Sequence, residues 1–379
     1  MIDRHTFNTS PPKMTSPDMK GVSGLTNIGN TCYGNATIQA IRHQIDLTCY
    51  LLQEKHKDII SKKKRTHNTQ LLEGYSDLIH KMWSGQGGIA DTRPMWSAML
   101  PAAIQNGYEQ FRMAQQHDAD EFLTFLLDGF HEALAEDVSM TITSKSDNSD
   151  VKNALSFWKQ TFEKSYSPLV ELVFNLLRKS VVCSKCKKES VTWETMNMKK
   201  VSVPKSSEPV ELLKLMEDEG KDDPIENFAC ASCGGTEDVT KRTKADVFRT
   251  YWRLGNWVIV VLKRYDNTMR KVNTKVNIPK ETTFSSLFHP NTQEPSATST
   301  YELFSTIDHH GPYGGGHYTA YAKHPVSGAW NFYDDGNASR VEDVELSNSS
   351  YILMYRKKVP AFAIANPSVK SMEQKTVFP

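Results

Sequence analysis

Two Cys-x-x-Cys pairs, Cys183 with Cys186 and Cys230 with Cys233, constrain the fold of this chain more than any other feature. Thiolates at that spacing close around one tetrahedral zinc ion, so two turns separated by 43 residues must meet. Gly234-Gly235 after the second pair lets the backbone fold beneath the metal. With all four ligands drawn from the protein, no position is left for water, and the ion is structural. Two unrelated exposed thiol pairs are the alternative. Zinc ribbons also occur in nucleic-acid binders, but the mixed charge around these pairs does not favour that use. The first 25 residues lack the apolar segment of a secretory signal, so metal or catalysis explains the cysteines better than a disulfide framework.

The 379 residues suffice for one large domain or two ordinary ones, and 39% hydrophobic with 23% charged residues are globular values. Lys and Arg number 45 against 44 Asp and Glu, which gives no global drive toward nucleic acid or anionic membrane. The apolar run Trp257 to Leu262 is far too short to span a bilayer. The expectation is an intracellular protein, cytoplasmic and/or nuclear, taken as a monomer, with partners recognised locally. Residues 1–20 read as a flexible leader and 359–379 as a short, unpatterned tail.

A second thiol has a different setting. Gly24-Leu25-Thr26-Asn27-Ile28-Gly29-Asn30-Thr31 precedes Cys32, and an apolar-periodic run, Ala36 to Ile45, follows it. Small and amide residues favour a tight loop and the run favours a helix, which puts Cys32 at a helix N-terminus, where the macrodipole is expected to lower its pKa. Cys49 has no partner nearby and reads as core. The basic run Lys62 to Arg65 reads as a solvated face. Leu71 to Trp83 and Met95 to Ile104 have helical spacing. Asp118 and Glu121 stand at capping-box spacing ahead of the stripe Phe122, Leu123, Leu126, Leu127, Phe130 and Leu134, so Asp118 is an N-cap; Gln116 and His117 have no such explanation. Ser139 to Asp150 is a polar loop.

Beyond Pro168 the pattern turns to short strands and hairpins around the cysteine pairs, with a brief helix from Leu212 to Glu217. Asn256 to Tyr265 is a buried strand, Val272 to Ile278 alternates, and Tyr301 to Ile307 is another strand. A glycine-rich loop then leads to His317, which opens a strand to Ala322; the next, Ala329 to Tyr333, ends in Asp334-Asp335-Gly336-Asn337. Adjacent strand ends thus present an imidazole and a carboxylate side by side.

A helix-borne Cys early, a strand-borne His late and a carboxylate on the following strand is the order of papain-type cysteine hydrolases. Cys32 attacks a carbonyl, His317 moves the proton, and Asp334 holds the imidazole in the right tautomer. A side-chain amide shortly before the nucleophile can donate to the oxyanion, and Asn27 is the candidate.

The segment Gly24 to Asn35 with Gln39 resembles the Cys box of the ubiquitin-specific proteases, and Gly315 to Tyr321 with Trp330 to Asp335 resembles their His box. Gln116-His117-Asp118 through Leu123, Leu262 to Tyr265, Tyr351 to Tyr355 and both cysteine pairs match in family order, across about residues 20–357. The resemblance implies an α+β, papain-like fold: a catalytic domain over 21–358 with a helical thumb, a strand-rich palm, and zinc-ribbon fingers inserted near 165–250. It implies cleavage after the terminal Gly-Gly of ubiquitin, with ubiquitin and ubiquitinated proteins as partners and a structural zinc ion. By the same resemblance Asn27 is the oxyanion donor, Asp334 the third triad member and Asp335 an auxiliary carboxylate. Gln116, Asp118 and Tyr318 match positions lining the channel for the ubiquitin tail, and the loop His310 to Gly316 matches a gate over it. Gly34 stands where the family has a bulkier residue, Ile38 replaces Leu, and Tyr265 replaces Phe. A zinc-ribbon ubiquitin-binding scaffold without turnover is the second reading, and the reacting groups argue against it, since a binding module needs none of them.

Overall fold

Apolar side chains at helical spacing build the first half of the chain. The computed structural model describes residues 21–358 apart from 85–86, 112–114, 145 and 293, so the expected leader and tail lie outside the described residues. After β1 (Gly24–Leu25) come α1 (Cys32–Ile41), α2 (Ile45–Leu52), α3 (Lys55–Ile60), α4 (His67–Trp83), β2 (Ile89–Ala90), α5 (Arg93–Gln105) and α6 (Ala119–Leu134). The apolar run after Cys32 is two helices, because the Gln44 side chain accepts from Leu47 N at 2.9 Å and caps α2. All ten residues of α1 are buried. It packs against α6 and the large sheet, and each buried Ile or Tyr there contributes about 1.5–3 kcal/mol.

Next come α7 (Ser149–Phe162) and α8 (Pro168–Val173). The sequence reading leaves α7 out: the irregular stretch expected over 139–150 ends at Asn148, whose side chain caps a helix that buries Val151, Ala154, Leu155, Trp158 and Phe162. That spacing is helical, but the stripe is short and lies between polar residues. Its first turn is fixed by Arg178, which reaches Asp150 at 2.9 Å and forks onto Glu189 at 2.7 and 3.0 Å.

The second half runs β3 (Asn175–Cys183), β4 (Glu189–Met196), β5 (Lys199–Ser202), β6 (Val210–Glu211), α9 (Leu212–Asp218), β7 (Lys221–Phe228), β8 (Thr243–Arg253) and β9 (Trp257–Lys263). It continues through β10 (Val276–Asn277), β11 (Glu281–Thr283), β12 (Thr300–His310), β13 (His317–Lys323), β14 (Trp330–Asp334), β15 (Asn337–Val341) and β16 (Ser350–Lys357). A four-stranded antiparallel sheet, β4-β3-β8-β7, carries the cysteine pairs. The large sheet runs β15-β14-β13-β12-β16-β9-β5, with β11 also on β12. Within 165–250 the chain therefore serves both sheets, since β5 pairs with β9. Val272, Thr274, Val276 and Ile278 alternate inward as expected, yet only Val276–Asn277 forms a ladder. Most helices come from the first half of the chain and mostly antiparallel strands from the second, an α+β arrangement. Among the described residues no helix is long and apolar enough to cross a membrane.

Candidate active site

The site lies in the seam where α1 meets β13 and the β14–β15 turn. Three contacts from the Cys-box loop converge on Asp335: Leu25 N donates to its carbonyl at 2.7 Å, Asn27 Nδ2 to Oδ2 at 2.9 Å, and Asn35 Nδ2 to Oδ1 at 2.7 Å. Asp335 holds φ at +46°, in the left-handed region, where Asp is one of the few tolerated non-glycine residues. Gly24 has no alternative here, because a Cβ would strike the Gly336 carbonyl.

Cys32 is the first residue of α1 and only 2% exposed. The backbone N–H groups of Tyr318, Tyr33 and Cys32 itself act on the sulfur to lower its pKa. Burial outweighs them, with Asp335 adding repulsion, so the thiol is pushed up from its ordinary value. The lowered pKa expected from the helix N-terminus is thus corrected. The dipole is present, but a sulfur sealed in the seam loses more hydration than the dipole returns.

His317 opens β13, and its Nε2 lies 2.6 Å from Asp334 Oδ1 at the end of β14. Nδ1 is the ring nitrogen left to exchange a proton with a thiol. The helix that Cys32 opens packs on β13, the strand that His317 opens, and His317, Asp334 and Asp335 bring their polar atoms within 4.8 Å of one another. The sequence-predicted Cys32, His317, Asp334, Asn27 and Asp335 are therefore brought together.

Gln116, Asp118 and Tyr318 gather where the thumb-side helices face the large sheet. Gln116 Nε2 donates to the Gly316 carbonyl at 2.6 Å, which ties the segment before α6 to the glycine loop. Asp118 caps α6 as expected, but through Asp120 N at 3.0 Å, and it also accepts the Tyr351 hydroxyl at 2.7 Å. Burial, then the charge of Asp120, raises its carboxyl to about 6. Tyr318 lies between the rings of His309, at 4.4 Å, and Tyr351, at 6.4 Å.

The loop itself is more firmly held than its glycines suggest. β12 runs three residues past the expected Ile307, so His309 is part of the sheet; its Nε2 bonds the Gly315 carbonyl at 3.0 Å and its Nδ1 the Tyr265 hydroxyl at 2.7 Å. Tyr265 also lies 3.1 Å from the Gly311 carbonyl. The residue that departs from the family pattern is thus the one that ties the loop down. Gly34 has a similar explanation, since Trp96 fills the space a side chain would need, 2.6 Å from its Cβ position. Sequence reasoning assigns no role to Asn35, His309 or Tyr351; their partners lie too far off in the chain to be read from spacing.

The four sulfurs of Cys183, Cys186, Cys230 and Cys233 lie within 4.8 Å of one another. Cys183 and Cys233 are 3.9 Å apart and Cys186 and Cys230 3.6 Å. Zinc–sulfur bonds of about 2.3 Å in a tetrahedron place the sulfurs roughly 3.8 Å apart, so the set fits that ion. Left-handed Lys187 and Gly234 close the two turns.

Thiol, imidazole and carboxylate in this order, on a helix start and two neighbouring strands, define a papain-like cysteine hydrolase. The family model for ubiquitin carboxyl-terminal hydrolase matches residues 23–355, and the chain belongs to that family, the ubiquitin-specific proteases. Usp2 of Drosophila melanogaster is 31% identical over 346 residues, covering 89% of this chain and 35% of that protein. Human ubiquitin carboxyl-terminal hydrolase 2 is 26% identical, covering 92% and 57%. The chain therefore spans roughly a third to three-fifths of the curated relatives it matches. Among solved structures, a chain of the SAGA DUB module Ubp8/Sgf11/Sus1/Sgf73 bound to monoubiquitin superposes with a TM-score of 0.67 at 18% identity, over 92% of this chain and 72% of that one. A second, bound to ubiquitin aldehyde, gives 0.66 at 17% identity, over 91% and 71%. The fold is that of the ubiquitin-specific protease catalytic domain.

Proposed function

We propose that the chain is a deubiquitinating cysteine protease that hydrolyses the peptide or isopeptide bond after the C-terminal Gly-Gly of ubiquitin. The observation that carries this reading is the 2.6 Å bond between His317 and Asp334 on the strands that pack against α1, the helix that Cys32 opens. Burial favours the thiol form of Cys32, and His317 Nδ1 takes the thiol proton as the sulfur attacks the glycine carbonyl. Asn27 donates to the resulting oxyanion and Asp335 holds Asn27. His317 then returns the proton to the leaving amine as the C–N bond breaks, which leaves a thioester on Cys32. Water, deprotonated by His317, attacks the thioester and releases a carboxylate and the free thiol.

Gln116, Asp118 and Tyr318 line the passage for the ubiquitin tail, where the Asp118 carboxyl pairs with a tail arginine. The loop before His317 gates that passage. Cys183, Cys186, Cys230 and Cys233 hold a zinc ion, which supplies a crosslink between two turns and no reaction chemistry. The protein acts in a reducing intracellular compartment, where its thiols stay free. Reaction with ubiquitin carrying a thiol-reactive C-terminal group tests the reading. A single adduct on Cys32, absent from Cys32→Ala, is expected; binding of ubiquitin without adduct would overturn it in favour of a scaffold.

A further inference from the structure

Asn35 is an interior amide used at one end only. It is 1% exposed, its Nδ2 donates to Asp335 Oδ1 at 2.7 Å and lies 3.3 Å from the Thr26 carbonyl, and its Oδ1 is buried without a partner. A helix interior that needed only volume there would be better served by an apolar side chain, since a buried acceptor left unpaired is a net cost. What the position uses is the NH2 group, and its main partner is Asp335, 300 residues away.

The second carboxylate oxygen of Asp335 is where the first connects to chemistry. Oδ2 accepts from Asn27 Nδ2 at 2.9 Å. The other end of the Asn27 amide is anchored as well: its Oδ1 accepts Gly29 N at 3.0 Å, Thr31 N at 3.2 Å and Thr31 Oγ1 at 3.2 Å. With the oxygen fixed next to Cys32 and one N–H committed to Asp335, the amide plane is set and the second N–H of this exposed side chain is free to meet substrate. Its direction depends on the carboxylate plane of Asp335, and Asn35 is the group that pins the far oxygen of that plane.

We propose that Asn35 is a positioning residue for the oxyanion donor, acting through Asp335 on Asn27. The inference rests on the deubiquitinase reading above. The test uses the full chain with Asn35→Ala and, in case that cavity unfolds it, Asn35→Asp, which keeps the shape and replaces the donor by an acceptor. Two reactions at Cys32 are compared: hydrolysis of a ubiquitin C-terminal amide, which passes through an oxyanion, and alkylation by ubiquitin bearing a C-terminal haloalkyl group, which does not. Either variant is expected to lose about 30-fold in kcat, with KM and the alkylation rate within about twofold of the parent. In an Asn27→Ala background, adding Asn35→Ala is expected to change kcat by less than about threefold, because its target is already gone. Equal losses in hydrolysis and alkylation, full additivity with Asn27→Ala, or an unchanged kcat would each overturn the proposal. A parent protein that is neither alkylated at Cys32 nor hydrolytic would instead overturn the deubiquitinase reading itself.

Discussion

The chain uses thiols in two places, and the two are built in opposite ways. At the fingers, each Cys-x-x-Cys pair closes its own turn, with Lys187 N on the Cys183 carbonyl at 2.9 Å and Gly235 N on the Cys230 carbonyl at 3.0 Å. Such a site is local twice over, and its two halves meet as four sulfurs within 4.8 Å of one another. At the seam, nothing local completes the site: Cys32, Asn27 and Asn35 meet Asp335 and His317 only after some 300 residues have folded between them. The knuckle sulfurs include an exposed one, Cys186, whereas Cys32 is sealed in and correspondingly hard to ionise. A site assembled from distant strands is buried where it is held, and burial raises the Cys32 pKa. In the proposed mechanism the His317 imidazole is the base that makes such a thiol usable.

The contrast is sharpest under substitution. Cys32→Ala is expected to reduce hydrolysis of a ubiquitin amide by about 10⁴-fold or more while ubiquitin binding, followed by calorimetry, is retained. Asp334→Asn, which keeps the shape but misassigns the His317 tautomer, is expected to lower kcat by about 10²–10⁴-fold with little change in melting temperature.

Removing metal with a chelator, or Cys230→Ser, should act on the other region. A loss of several kcal/mol of stability is expected, on the order reported by structural zinc sites, with hydrogen exchange accelerated in β3, β7 and β8 and much less in β12 and β13. If Cys32 alkylation by a small reagent collapses in step with the fingers, the two regions are not independent and the comparison fails.

Asp118 offers a gentler probe. Its folded carboxyl, raised to about 6, holds a proton more tightly than the unfolded one at about 3.9, so the stabilisation it supplies is complete below about pH 4 and lost as pH rises through about 6. Asp118→Asn, which can still accept the Tyr351 hydroxyl, is expected to be more stable than the parent at pH 8 by about 1–2 kcal/mol in urea unfolding, and to bind ubiquitin more weakly. The smallest effect is expected from Tyr265→Phe. Loss of the hydroxyl removes its one donated hydrogen bond, for which His309 Nδ1 and the Gly311 carbonyl compete, worth about 1 kcal/mol, and kcat/KM should fall about two- to fivefold.

Much of the architecture is legible in advance. The stripe from Phe122 to Leu134 and the alternation from Val272 to Ile278 point their apolar residues inward as read. β13 starts at His317 where the glycine loop puts it, and β14 runs Trp330–Asp334, one residue later at each end than the expected Ala329 to Tyr333. What escapes is of two kinds. The helix from Ser149 was missed because its buried face is only five residues among polar ones, and its partners, Trp252 and Leu176, come from the sheet. The direction of the Cys32 pKa shift is not legible either, because a dipole is visible in the order of residues and desolvation is not.

The sequence by itself determined the family, the order of the candidate groups and of the two cysteine pairs, and most of the strands and helices that carry them, because loops, caps and hydrophobic periods are short-range. Only the tertiary structure decided that Asp335 is shared between two asparagines, that Tyr265 and His309 tie the loop, and that Cys32 is buried. Those properties come from solvent exclusion and from hydrogen bonds across hundreds of residues, and both depend on the packing of the whole chain.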